Sequence, residues 1–282
     1  MNIFKQVNDK KVLIAAHRGY NGGNIPCNSL EGYKISAIYG ADIVEVDVTE
    51  SKDGELYMLH PGMEKHHFSK EIVLPNSTKE EISKVMLANQ DRAPTQYKIA
   101  TFDEMLETLK PYNVFINVDK FWSNPTLISK KIRDLGMEDR IIVKSAISDT
   151  DVKHLEEVAS GLPFIAITWT TDAHEILKNS KLNYVGLEVL FHDDNAEVVS
   201  DEFIKTIKND GKLLWGNSIV YNYKANISAE HTDDNALLGN PDLGWGWFAK
   251  KGFDIIQSDW CTELNLYLKD KGYRKKNISD GN

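Results

Sequence analysis

Eight short apolar runs recur along the chain with amphipathic segments between them, and this alternation limits the fold more than any other feature. Strand-length runs that alternate with helical patterns predict a parallel sheet, and eight of them predict a closed (β/α)₈ TIM barrel forming a single domain over residues 1–282. An open doubly wound sheet is the alternative, but no glycine-rich phosphate loop follows the first run. The runs are Val12–Ala16, Ile43–Val48, Val114–Val118, Ile141–Lys144, Phe164–Thr168, Tyr184–Val189, Lys212–Asn217 and Phe253–Gln257.

Helix start signals lie between the runs. Thr101 with Glu104 fits a capping box, and Ser77 with Glu80 fits another. Pro125 fits the first turn of a further helix, where its missing N–H costs nothing.

The stretch from His60 to Ala100 fits the alternation least. We interpret residues 61–100 as an insertion between the second and third barrel strands, on the rim where barrel enzymes keep their active sites. A helix predicted over "STKEEISKVML" has Ile82, Val85 and Met86 on one face, and we expect this face to pack on the barrel rim.

Composition excludes several classes of protein. A formal net charge of -9 argues against binding a nucleic-acid backbone, and no apolar run has the length of a membrane span. The N-terminus lacks the pattern of a signal peptide, so we expect a cytoplasmic protein. Cys27 and Cys261 are the only cysteines, too few for a disulfide framework or a cysteine-rich zinc site, and we expect both to be buried small residues.

Polar residues collect at the carboxyl ends of the predicted strands, which converge on one mouth in a barrel. "VEVDVTESKDGELYMLH" (residues 44–60) shows the pattern best: Glu45 and Asp47 share one face of a strand, and His60 ends the next extended segment. The other residues of this set are His17, Arg18, Asp119, Lys120, Lys144, Glu188, Trp215 and Asn217.

Each member of the set has an ordinary explanation when taken alone. Glu45 and Asp47 could form a structural ion pair with Arg18, and Asp53-Gly54 fits a hairpin turn. Adjacent side chains on an extended loop diverge, so we expect His66-His67 to be a solvated surface rather than a metal pair.

The combination is more specific. Glu45, Asp47 and Asp119 form an oxygen-rich set suited to one hard divalent cation, Mg²⁺ or Ca²⁺, which would offset the cost of burying two acids on one strand. Two histidines beside such a cation are natural proton donors and acceptors. Arg18, Lys120 and Lys144 add positive charge that favours an anionic substrate, with phosphate as the natural candidate.

The segment "AAHRGYNGGNIPCNSLEGYKISAIYGADIVEVDVTESKDGELYMLH" resembles the N-terminal signature of the glycerophosphodiester phosphodiesterase family. Weaker similarity continues in "IATFDEML", "VFINVDK", "LLWGNSIVYN" and "GFDIIQSD", so it covers nearly the whole chain. The resemblance implies a TIM barrel that uses a divalent cation to hydrolyse glycerophosphodiesters, small-molecule substrates, to glycerol 3-phosphate and an alcohol.

The resemblance also implies roles for single residues. His17 and His60 would be the acid/base pair, Glu45, Asp47 and Asp119 the metal ligands, and Arg18 and Lys120 the phosphate-binding cations. The strand-end residues Lys144, Glu188, Trp215 and Asn217 complete the predicted substrate-binding set.

The sequence also departs from the family pattern. Pro61 replaces an aspartate after the second histidine, Asp119 replaces a glutamate, and "CNS" replaces Glu-Asn-Thr.

Two other functions stay open at this point. Glu45, Asp47 and Glu188 could be the carboxylates of a glycoside hydrolase with Trp215 as a sugar platform, although such an enzyme has no need of two histidines. A barrel that binds phosphodiesters or glycans without turnover is the third reading. Assays of phosphate-ester and glycoside substrates with and without EDTA separate the three.

Overall fold

The computed structural model describes residues 1–147, 152–220 and 225–275. The strands of these residues are β1 (Leu13–Ala16), β2 (Ile43–Glu50), β3 (Leu56–Met58), β4 (Met86–Ala88), β5 (Pro94–Lys98), β6 (Phe115–Asp119), β7 (Ile141–Ala146), β8 (Pro163–Thr168), β9 (Asn183–Val189), β10 (Leu213–Asn217) and β11 (Ile255–Ser258). The helices are α1 (Ile3–Lys10), α2 (Leu30–Ile38), α3 (Glu64–His67), α4 (Lys79–Ile82), α5 (Phe102–Leu109), α6 (Pro125–Asp134), α7 (Val152–Val158), α8 (Asp172–Lys178), α9 (Asp201–Asn209), α10 (Asp233–Leu237), α11 (Trp245–Lys251) and α12 (Cys261–Asp270). Four 3₁₀ turns join them, at Leu74–Asn76, Phe121–Ser123, Glu138–Arg140 and Glu197–Val199.

Eight parallel strands close into a barrel in the order β1-β2-β6-β7-β8-β9-β10-β11, and β11 pairs back with β1. Helices lie between successive strands, so the (β/α)₈ prediction is confirmed, and all eight predicted runs are barrel strands. The turn at Asp53-Gly54 is also confirmed, because β3 returns antiparallel to β2 and Gly54 has a φ of +83°.

The barrel interior changes character along its axis. An inner apolar cluster takes at least one residue from each of the eight strands, and residues of α1 close it from below. Ile43 on β2, Phe115 on β6 and Ile142 on β7 belong to this cluster. Side chains in a strand alternate between faces, so residues two and four positions farther along these strands point inward again. Those later positions are Glu45 and Asp47, Asn117 and Asp119, and Lys144.

Residues between β3 and α5 carry the short helices α3 and α4 and the two-stranded sheet β4-β5. The predicted helix there ends at Ile82, and Met86 begins β4 instead of continuing the helical face. Ile82 and Val85 are buried in a small separate cluster that also contains Tyr57 and Leu59. The expected apolar face therefore packs within this segment and against β3.

The two predicted capping boxes had different outcomes. The Thr101–Glu104 box is confirmed, while the second box forms one residue later, between Thr78 and Glu81. Ser77 cannot cap the helix because its hydroxyl donates to the carbonyl of Val73 and closes the preceding 3₁₀ turn. Pro125 opens α6 as expected.

Close approach of β9 and β10 requires a glycine at position 186. A Cβ there would lie 2.9 Å from the carbonyl carbon of Leu213 and closer still to its oxygen. We expect Gly186→Ala to lower the free energy of unfolding by roughly 1–3 kcal/mol, as overpacking does in a close-packed interior. Gly161→Ala is a comparison without a clash: no atom lies within 4 Å of the added Cβ, but its φ of +80° strains any residue with a side chain. Denaturant unfolding checks the prediction, and an unchanged free energy of unfolding in Gly186→Ala contradicts it.

Candidate active site

Three carboxylates meet at the mouth of the barrel. β2 and β6 run parallel with Asp47 opposite Asp119, and Glu45 lies one inward-facing position below Asp47. One oxygen atom from each of these three acids lies within 4.8 Å of the others. Glu45 and Asp47 are buried, and Asp119 is half-buried. The structure thus brings together the acids predicted to be metal ligands.

The charge state of this cluster fits a cation. Burial, together with the neighbouring Asp47 carboxylate, raises the pKa of Glu45 to about 7. Burial also acts on Asp119, but Lys120 and Lys144 outweigh it and lower the pKa of that carboxyl. Asp47 Oδ1 is buried and accepts no hydrogen bond from the described residues. A buried carboxylate oxygen without a donor is costly, so these donors suit a hard divalent cation, which Glu45, Asp47 and Asp119 would hold.

Arg18 and Asn28 fix the two acids of β2. The backbone N–H of Arg18 donates to Glu45 Oε2 at 2.7 Å. The Nε atom of the Arg18 side chain lies 2.9 Å from Asp47 Oδ2. The Asn28 side-chain amide also donates to Asp47 Oδ2 at 2.9 Å, and its oxygen accepts from the Tyr33 hydroxyl. Arg18 and Asn28 both have positive φ, 56° and 53°, which costs on the order of 1–3 kcal/mol per residue. The acids are therefore held by locally strained backbone.

Lys120 also reaches the cluster from a residue with positive φ. Its φ of 60° and ψ of 21° are left-handed, and its Nζ lies 2.5 Å from Asp119 Oδ2 and 3.8 Å from Asp47 Oδ1. A lysine directly after a strand residue would normally point to the other face. The left-handed turn lets adjacent residues supply a carboxylate and a cation to the same site.

His17 follows β1 and is paired with an acid from the end of the barrel. Its Nδ1 lies 2.8 Å from Asp259 Oδ1, and because a carboxylate only accepts, Nδ1 carries the proton. Burial acts to lower the pKa of His17, but the Asp259 carboxylate outweighs it and the net shift is upward. Proton exchange with a substrate then falls to Nε2.

His60 lies in a different environment. It is partly exposed, and burial lowers its pKa. Its Nδ1 lies 2.9 Å from the carbonyl oxygen of Pro61, which can only accept, so Nδ1 donates and Nε2 keeps its lone pair. The residue that departs from the family pattern thus fixes the tautomer through its backbone.

A second polar network lines the same mouth. Lys144 Nζ is paired with Glu188 Oε2, and the Asn217 amide donates to Glu188 Oε1 at 2.6 Å. These three side chains border a cavity of about 170 Å³ that Glu45, Asp119 and Lys120 also line. Asn217 Oδ1 is buried and accepts no hydrogen bond within the described part of the chain.

Trp215 does not border this cavity. Its side chain is fully buried in the inner apolar cluster, and its ring centroid lies 3.3 Å from Lys144 Nζ. The indole therefore lies against Lys144 and away from the cavity lining, a position that does not favour a role as a sugar platform. The reason is the strand register, because Trp215 precedes Asn217 by two positions and so lies one inward-facing layer deeper.

A larger cavity of about 560 Å³ opens beside His17 and Arg18. His67 and Cys27 also line it, with Cys27 Sγ 3.4 Å from His67 Nδ1. His66 is exposed as expected, but the expectation of a solvated surface is wrong for His67, which is buried in the short helix α3. Burial, followed by nearby Arg18, lowers the pKa of His67 to about 4, and burial raises the pKa of Cys27 to about 12. Both groups are therefore neutral, and the expectation of a buried Cys27 is confirmed.

Sequence reasoning missed two acids of this region. Asp259 ends the segment "GFDIIQSD", so a position directly after a barrel strand was the available signal. Asp233 had no such signal, because it lies inside the long connection between β10 and α11. Its carboxylate accepts the backbone N–H of Asp259 at 2.9 Å.

Curated relatives and solved structures agree on what the chain resembles. A glycerophosphodiester phosphodiesterase of Caldanaerobacter subterraneus subsp. tengcongensis is 27% identical over 142 residues, which are 48% of this chain and 58% of the relative. One from Bacillus altitudinis is 27% identical over 140 residues, 47% of this chain and 57% of the relative. The chain therefore spans just over half the length of the curated relatives it matches.

A crystal structure of a glycerophosphoryl diester phosphodiesterase from Parabacteroides distasonis superposes with a TM-score of 0.78 at 19% identity, covering 100% of this chain and 95% of that one. The Oleispira antarctica phosphodiesterase in complex with the product sn-glycerol-3-phosphate gives a TM-score of 0.68 at 16% identity, covering 91% and 96%.

The predicted resemblance is confirmed. The relatives of this chain in sequence and in fold are glycerophosphodiester phosphodiesterases. A family model described as a domain of unknown function, DUF4996, matches residues 162–268. That match begins before β8 and ends within α12, so it leaves out the three clustered acids and both histidines. In the described residues, no helix combines the length and the apolar character needed to cross a bilayer.

Metal binding tests the carboxylate cluster directly. We expect calorimetric titration with Mg²⁺ or Ca²⁺ to show binding that Asp47→Asn weakens by at least about 10-fold, because the substitution removes a ligand charge at the centre of the cluster. Asp91→Asn, a substitution at an exposed turn residue, is the matched control and should bind as the unmodified protein does. Equal affinity in the two variants would show that the ion is held elsewhere.

Proposed function

We propose that this protein hydrolyses a glycerophosphodiester to glycerol 3-phosphate and an alcohol with a divalent cation. The proposal rests on one observation: three carboxylates share one barrel mouth with two histidines, one bonded to a carboxylate and the other to a carbonyl. The similarity to glycerophosphodiester phosphodiesterases supports the same reaction class. A glycoside hydrolase is not supported, because Trp215 is buried and Glu188 is committed to Lys144 and Asn217.

A bound Mg²⁺ or Ca²⁺ would supply Lewis-acid stabilisation of charge on the phosphate oxygens. The chain itself supplies the remaining cations. Lys120 Nζ and Arg18 Nε each lie beside one oxygen of Asp47, so a phosphate bound at the carboxylate cluster would be near two positive charges.

The histidine environments favour a division of roles. Asp259 raises the pKa of His17 and so favours its protonated form, which suits a general acid that protonates the leaving alkoxide. Burial lowers the pKa of His60, and its Nε2 has a lone pair that suits a general base taking the proton of the attacking water.

The two cavities would separate the two arms of the substrate. The cavity of about 170 Å³ has the size and polarity for glycerol, and Asn217 Oδ1, which accepts no hydrogen bond from the residues described, suits a hydroxyl donor. The cavity of about 560 Å³ is larger and includes His17, so we assign it to the alcohol arm.

Activity measurements test the histidine pair. Removing a positioned acid or base costs on the order of 10²–10⁴ in rate, so His17→Ala and His60→Ala should each lose that much kcat while keeping their fold. The double variant should lose much less than the product of the two effects, because both residues act in one step. His154→Ala, at an exposed position of α7, is the control. Near-normal turnover by a folded His17→Ala or His60→Ala variant would remove that residue from the mechanism.

The residues interpreted as an insertion contribute to the larger cavity. Met63, His67 and Gln90 line it together with His17. We infer that this segment, about residues 61–100, selects the alcohol rather than only covering apolar surface. Its own small core, which includes Val85, does not border the cavity.

Two substitutions separate a role in selecting the alcohol group from a purely structural role of this segment. Met63→Ala should change the ranking of small and large alcohol groups by kcat/KM, because it reshapes the cavity, and it should leave metal affinity unchanged. Val85→Ala should lower Tm and scale all substrates alike. An unchanged ranking in Met63→Ala, measured over a panel of glycerophosphodiesters, would leave the segment with a structural role only.

A further inference from the structure

A buried carboxylate near the mouth is not explained by metal or substrate binding. Asp233 is 2% exposed, yet it collects four hydrogen-bond donors from three different parts of the chain. The hydroxyls of Ser218 and Ser258 and the indole N–H of Trp245 each donate to Asp233 Oδ1 at 2.7 Å. The backbone N–H of Asp259 donates to Oδ2 at 2.9 Å.

These donors fix the Asp233 side chain, and through the same hydrogen bonds Asp233 fixes the residues around it. Its own backbone N–H donates to the carbonyl of Ser218 at 2.6 Å, which ties the start of α10 to the end of β10. Ser258 is the last residue of β11, and Asp259 follows it directly. Both oxygens of one carboxylate therefore hold the two residues at which β11 leaves the barrel.

We propose that Asp233 is a positioning residue: its buried carboxylate fixes the backbone at Ser258 and Asp259, so that the Asp259 carboxylate holds Nδ1 of His17. The proposal rests on the proposed function for the meaning of His17, but the geometric chain does not depend on which reaction is catalysed. A network of this kind orients a reactive imidazole before substrate arrives, which is the usual task of groups behind an active site.

Charged groups that act on His17 include Asp259, Glu45 and Arg18, and the Asp259 carboxylate also acts on Asp233. Burial and this like charge raise the pKa of Asp233 to about 7. An Asn at position 233 would remove a charge and offer one acceptor where the carboxylate offers two, so it tests the network but alters electrostatics as well.

Ser258→Ala separates geometry from charge. It removes one donor to Asp233 and the acceptor of the Trp260 N–H but keeps every ionisable group, so an effect on His17 does not come from the loss of a charge. Asp254→Asn is the matched control for Asp233→Asn, because Asp254 is also a largely buried acid that accepts a backbone N–H, from Leu214 at 2.8 Å. Asp254 lies before the start of β11, whereas the two residues that Asp233 holds lie at its end and directly after it.

The experiment follows the NMR titration of the His17 ring in the full chain, with Tm, kcat, KM and Mg²⁺ affinity measured in parallel. Asp259→Asn should lower the His17 midpoint most, and Asp233→Asn and Ser258→Ala should lower it in the same direction. Asp233→Asn should also reduce kcat by about 10–100-fold, with KM and Mg²⁺ affinity close to normal. Asp254→Asn should lower Tm without moving His17.

A folded Asp233→Asn protein with an unchanged His17 midpoint would overturn the proposal. If Asp233→Asn does not fold, Ser258→Ala decides, and an unchanged midpoint there has the same meaning. A shift in Asp254→Asn as large as that in Asp233→Asn would show a general loss of stability and would also overturn it. Absence of phosphodiesterase turnover in the unmodified protein counts against the proposed function alone, because the titration reads the network without substrate.

Discussion

Burial of negative charge at the barrel mouth is the constraint on which the rest of this site depends. Two fully buried carboxylates on one strand and a third on its neighbour repel each other, and each would also lose its hydration. The chain offsets part of this cost with Arg18 and Lys120, which both reach Asp47. The remaining imbalance is visible in the raised pKa of Glu45 and is what a divalent cation would neutralise.

The backbone is strained where this compensation takes place. Arg18, Asn28 and Lys120 all have left-handed φ angles, and all three contact the carboxylate cluster. Strain of this kind persists only when surrounding structure holds it, and the rigid strands of a closed barrel provide that support. The strain lowers stability at these three positions, but it places their polar groups at the cluster, where ordinary strand geometry would not direct them.

The two histidines at the barrel mouth lie in contrasting environments. His17 is buried and faces a carboxylate, whereas His60 is partly exposed and faces a carbonyl. A carboxylate stabilises the imidazolium form, and a carbonyl fixes a neutral tautomer without adding a full charge. Their pKa values therefore shift in opposite directions, as the proposed acid and base roles require.

The sequence by itself determined the barrel, the order of its strands and the meeting of Glu45, Asp47 and Asp119, because these follow from side-chain alternation and from the convergence of parallel strand ends. Tertiary structure alone decided that Trp215 lies below the cavity, that His67 turns inward, and that Asp233 supports the far end of β11. These outcomes depend on strand register, on a short helix inside a long connection, and on contacts between residues far apart in the chain. Local patterns carry no record of such contacts, since the hydrogen bond of His17 to Asp259 joins positions 242 residues apart and exists only once the barrel has closed.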